Sequence, residues 1–116
     1  MTGSDGARAA LAAERELVLA RLAGLRRDLG SSIDAAAAAN ADDEHDPEGA
    51  TIAYERQLVA AHIEGAEEQL GQVDAALARL DAGSYGICAG CGQAIAPARL
   101  AARPTATTCI SCAQAR

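Results

Sequence analysis

Two cysteine pairs, Cys88-Ala89-Gly90-Cys91 and Cys109-Ile110-Ser111-Cys112, stand near the end of the chain with seventeen residues between them. A C-x2-C turn places two thiols on one side of the backbone, and two such turns facing each other close a tetrahedral shell of soft donors. Gly90 and Gly92 suit the tight turn of the first pair. A four-thiolate shell has no open position for water, so the pattern predicts one structural Zn2+ and no catalytic metal. With four thiolates the site carries a net charge of about −2. Arg99, Arg103 and Arg116 are the only charged side chains in this segment and partly balance it. Two disulfides or a redox-active dithiol pair are the competing readings.

What precedes the cysteines has little material for a thick core. The chain has no Phe, no Trp and only two tyrosines, Tyr54 and Tyr85, and alanine dominates. Alanine is the best helix former but buries little area, which favours long helices packed along a narrow seam. From about Asp5 to Asn40, residues Leu11, Val18, Leu22, Leu25, Leu29 and Ile33 recur on one helical face. Ser4 or Asp5 is placed to cap the start. Residues 40–48 form an acidic break, with Asp46-Pro47-Glu48 reading as a second helix start. Ile52, Val59, Ile63, Ala66, Leu70, Val73, Leu77 and Leu80 then continue a heptad seam until Gly83 stops the helix.

The expected fold is therefore mostly α: a long antiparallel two-helix coiled-coil hairpin with a small C-terminal C4 zinc finger. Residues 1–83 are expected to form the hairpin, with an acidic tip loop at 40–48, and residues 84–116 the finger with a short C-terminal helix. Each arm of such a hairpin is roughly 50 Å long. A compact helical bundle is the alternative.

The formal charge of −6 argues against DNA or an anionic membrane as the main target. No signal peptide and no membrane-spanning run is visible, so a cytoplasmic protein is expected. No nucleophile–base pattern or phosphate-binding glycine loop is present, and an enzyme is not expected. His45 and His62 read as solvated residues, and Asp42, Asp43 and Glu44 lack the spacing of a calcium loop.

The run Cys88-x2-Cys91-x3-Ile95-x3-Arg99-x9-Cys109-x2-Cys112 resembles the signature of the DksA/TraR zinc-finger family. Tyr85-Gly86-Ile87-Cys88 and Arg99-Leu100-Ala101-Ala102-Arg103-Pro104 extend the likeness, which is to a divergent, actinobacterial-like member; ten Arg, no Lys and abundant Ala point to a GC-rich genome. Ala89 departs from the acidic residue or Ser usual after the first cysteine. The resemblance implies a non-enzymatic regulator that inserts its coiled-coil tip into the secondary channel of RNA polymerase and does not bind DNA sequence-specifically alone. It places Asp43, Asp46 and Glu48 at the tip, facing the polymerase active site.

The tip itself departs from the family pattern Asp-x-x-Asp-x-Ala. Alignment on the Asp-Pro pair puts Asp46, Gly49 and Thr51 at the three positions, whereas gapless alignment from the cysteines puts His45, Glu48 and Ala50 there. Of the basic positions the family uses toward ppGpp, gapless alignment finds Gln72, Ala113 and Arg103, so ppGpp binding is not expected. Arg99 and Arg103 are the candidate nucleotide or partner contacts. An adaptor using the hairpin on another partner, and a thiol–zinc redox sensor, are the rival functions.

Overall fold

The computed structural model describes residues 2–42 and 47–115. Asp43, Glu44, His45, Asp46 and Arg116 lie outside the described residues. The elements are all helical: α1 (Thr2–Asp42), α2 (Pro47–Ala82), α3 (Pro97–Ala102) and α4 (Ile110–Gln114). Among the described residues extended pairing is confined to one isolated antiparallel bridge, Ile87 with Ala94. The first helix begins three residues before the expected Asp5. Ser4 and Asp5 are thus inside it rather than capping it, and Asp5 sits in the first turn, where a carboxylate favours the positive helix end. The alanine-rich stretch that follows propagates the helix back over Thr2.

The chain divides into two compact units, one of residues 1–16 with 70–116 and the other of residues 17–69. In the first, Leu11 packs against Val73 and Ala76, all three fully buried, with Leu77, Leu80 and Tyr85 around them. Two surface ion pairs set the register: Arg8 meets Asp81 at 2.9 Å and Arg15 meets Asp74 at 2.7 Å. Seven residues forward on α1 is seven residues back on α2, so the helices run antiparallel and are paired one heptad step apart. Exposed pairs of this kind contribute about 0–1 kcal/mol each, so the buried seam carries the stability and the pairs carry the alignment.

The second unit repeats the arrangement with a thinner core of Val18, Leu22 and Ala66. Arg26 and Glu67, 3.2 Å apart, link its two helices. Leu25 and Leu29 are half-buried, and Ile33, expected on the seam, is 47% exposed. A two-helix layer covers a seam residue from one side only, and where no third element closes over it the side chain stays open to water.

The second helix ends as its sequence dictates. Gly83 takes φ +80°, which an L side chain rarely adopts. Its N–H donates to the Leu80 carbonyl at 3.2 Å and the Ser84 N–H reaches the Arg79 carbonyl at 2.9 Å. These are the two bonds of a Schellman cap, which satisfy carbonyls left over at the helix end.

The exposure contrast along α1 gives a direct test of this packing. Leu11→Ala, at a fully buried site, is expected to cost about 2–5 kcal/mol in denaturant unfolding. Leu17→Ala, where the side chain is 72% exposed, is expected to stay within about 0.5 kcal/mol of the parent.

Candidate metal centre

After the Gly83 cap the chain makes a compact knuckle that delivers the first two sulfurs. Gly86 at φ +82° turns the backbone, its carbonyl accepts from the Ile95 N–H at 2.7 Å, and the Cys88 N–H donates to the Gln93 carbonyl at 2.8 Å. Gly92, at φ +75°, closes the loop by donating its N–H to the Cys88 carbonyl at 2.9 Å. Cys88 and Ile95 are the buried residues of this segment. A hydrogen bond from the Ala89 N–H to the Thr107 carbonyl, 2.7 Å, brings the second half of the finger alongside the first.

The second pair comes from the start of α4. Cys109 occupies the helix N-cap and its sulfur accepts from the Cys112 N–H at 3.5 Å. Pro97 opens α3, where its fixed φ and missing N–H suit the first helical turn. From α3 the Arg99 Nε donates to the Thr108 carbonyl at 2.8 Å, so this arginine braces the residue before the second cysteine pair. The Tyr85 hydroxyl donates to the Pro104 carbonyl at 2.8 Å and, being packed on the Leu11–Val73–Ala76 cluster, ties the finger to the helices of its own unit. Partial burial raises the Tyr85 pKa, and the nearby Arg79 guanidinium opposes that shift.

All four cysteines are unpaired thiols, and their sulfurs lie within 4.8 Å of one another. The Cys91 and Cys109 sulfurs are 3.8 Å apart. A tetrahedral zinc with Zn–S bonds of about 2.3 Å requires sulfur–sulfur edges of about 3.8 Å. The Cys88 sulfur accepts backbone N–H groups from Gly90 at 3.3 Å and Cys109 at 3.2 Å, an arrangement suited to a thiolate. The backbone donors of Cys109 and Cys91 bring the Cys88 thiol down to about 6. Hydrogen bonding to the Cys88 sulfur first, and then to those of Cys109 and Cys91, pushes the Cys112 thiol up to about 12. Four sulfurs this close do not all ionise on their own. A dication that bonds all four removes the conflict, so the donor set fits zinc, and these cysteines hold one structural Zn2+.

Gly90 has a role that its turn does not explain. A Cβ on Gly90 lies 3.0 Å from the Cys112 sulfur and 3.3 Å from its Cβ, so the two halves of the shell meet across a bare backbone. The remaining expected site residues are elsewhere. Arg103 is exposed just past α3 and Glu48 belongs to the first turn of α2, while His62, read as a solvated residue, is exposed on α2. Among the described residues the four cysteines are the one cluster able to hold a metal.

Gly90→Ala is expected to weaken zinc retention about tenfold or more in competition with a chromophoric chelator, because outer residues that set ligand geometry govern affinity on that scale. Gly71→Ala, where the added methyl meets nothing within 4 Å, is expected to leave zinc unchanged and to stabilise α2 by up to about 1 kcal/mol. In the same assay protons compete for the thiolates. Backbone donors already draw the Cys88 thiol toward the anion, and zinc requires all four sulfurs as thiolates. Zinc is therefore held at neutral pH and released on acidification.

Comparisons with known proteins agree with this geometry. Residues 83–116 match the family described as the prokaryotic dksA/traR C4-type zinc finger. A stretch of 41 residues is 46% identical to the RNA polymerase-binding transcription factor DksA of Haemophilus influenzae; it covers 35% of this chain and only 28% of that protein. The structure of transcription factor DksA2 from Pseudomonas aeruginosa superposes with a TM-score of 0.84 at 29% identity, over 99% of this chain and 83% of that one. With a matching finger signature, a matching fold and a converged cysteine quartet, residues 83–116 form a DksA/TraR C4-type zinc finger and the chain as a whole is similar to DksA-type proteins.

Proposed function

We propose that the protein is a zinc-containing transcription regulator that binds RNA polymerase by inserting the acidic segment between its two long helices into the secondary channel. The observation that carries this reading is the joint presence, in one chain, of the DksA/TraR finger and a DksA2-like fold over nearly its full length. One relative is described as RNA polymerase-binding, and both are described as transcription factors. In this reading residues 1–83 engage the polymerase and residues 84–116 are the zinc-stiffened finger. Asp43, Asp46 and Glu48 face the polymerase active site and act through charge, with no bond made or broken by the protein itself. The formal charge of −6 suits action on a protein and not on promoter DNA. No helix among the described residues is long and apolar enough to cross a membrane, which suits a cytoplasmic partner.

Two measurements test the reading together. The protein is expected to bind core RNA polymerase and to be displaced by a known secondary-channel factor; undiminished binding under saturating competitor places it elsewhere on the enzyme. The double variant Asp46→Asn/Glu48→Gln is expected to keep binding, helix content and zinc while losing the effect on transcription. Asn caps a helix nearly as well as Asp, so a purely structural role predicts an unchanged transcriptional effect.

A further inference from the structure

The unit formed by residues 17–69 leaves an apolar flank uncovered. Tyr54 is 63% exposed and Leu58 43% exposed. They lie one turn apart on α2 and so point to the same side. Leu58 continues into a shallow open groove that it lines with Glu55, Val59 and His62 of α2 and with Asp28 and Ser31 of α1. The groove combines an apolar floor with one carboxylate from each helix and has no arginine in its lining. Nearby, Glu67 is paired with Arg26; among the described residues neither Asp28 nor Glu55 has an ion-pair partner.

We propose that this groove is the docking surface for an arginine-bearing segment of the protein's partner, which is RNA polymerase if the reading above holds, and on that reading the partner's identity rests. The chemistry selects this occupant. An arginine lays its apolar stem along Leu58 and Val59 while its planar head offers several N–H donors to two carboxylates, and it stacks on an exposed aromatic such as Tyr54. A purely apolar segment leaves Asp28 and Glu55 to be desolvated without compensation. A phosphate backbone is repelled by the same pair. A second copy of a chain of formal charge −6 brings more negative charge to a surface already carrying two uncompensated carboxylates.

The test uses the full chain with zinc bound. Asp28→Asn/Glu55→Gln removes both charges and keeps the shape, and Leu58→Ser removes the apolar floor at a half-exposed position. Zinc content and circular dichroism check that each variant is folded. Each is expected to bind core RNA polymerase about tenfold more weakly than the parent, with a shallower salt dependence for the charge variant. Parent-like affinity in both folded variants overturns the groove and leaves polymerase binding standing. If the parent itself fails to bind polymerase, the function proposed above falls. The groove is then judged with an amphipathic Leu/Arg model peptide followed by amide chemical shifts. Shifts at Leu58, Val59 and His62 that vanish in the charge variant support an arginine-docking groove, and no shift at these residues overturns it.

Discussion

Four thiols held within 4.8 Å of one another present a charge problem that the finger exists to contain. Backbone N–H groups lower one sulfur, Cys88, toward the anion, and the crowd of neighbouring sulfurs holds another, Cys112, far on the neutral side. A tetrahedral dication settles both at once, and folding free energy comes with it. This segment has almost nothing else to fold on. Among its described residues only Cys88 and Ile95 are buried, and its two helices have six and five residues. The hydrogen bonds across the knuckle, the Arg99 brace on Thr108 and the Tyr85 link to Pro104 therefore orient a shell whose cohesion comes from metal–sulfur bonding.

The helices solve a different problem, that of pairing with little side-chain volume. At Ala66 and Ala76 the seam closes on a methyl group alone, and both are fully buried. Small residues allow the helix axes to approach, and Leu11, Val18, Leu22 and Val73 are buried on the seam while Leu25 and Leu29 stay half-buried. The cost of a two-helix layer appears on its flanks, where Leu17, Tyr54 and Leu58 stay exposed. A partner-binding protein turns that cost to use, because a surface left unfilled by its own core is available to another chain.

The cysteine quartet and the antiparallel helices were legible in the sequence for one reason: each is written in spacing. Two C-x2-C pairs fix a ligand set, and recurrence at three and four residues fixes a helix face. Gly83 was legible as a stop because the left-handed residue of a Schellman cap is usually glycine. What spacing does not record was missed. Ala76 is on the seam, but alanine occurs everywhere in this chain and so marks no face. The α3 helix is too short to show a period and is announced only by Pro97. Gly90 looked like a turn residue; its real constraint is the Cys112 sulfur from the other half of the finger, a contact made in space between residues distant in sequence. Ile33 kept the right spacing and still ended exposed, because periodicity names a face without saying whether anything covers it.

The same distinction separates the two arginines of the finger that the sequence offered as contacts. Arg99 is half-buried with its Nε committed to the Thr108 carbonyl, so it positions the residue next to Cys109. Removing it disturbs the second cysteine pair before it disturbs any partner, and a loss of function on mutating Arg99 is ambiguous for that reason. Arg103 uses only its backbone, donating its N–H to the Arg99 carbonyl at the end of α3, while its side chain is exposed and has no ion-pair partner among the described residues. A guanidinium in that position retains its donors for an external acceptor. The guanidinium of Arg103 is thus open to solvent, whereas that of Arg99 is tied to the backbone beside Cys109 and belongs to the integrity of the zinc site.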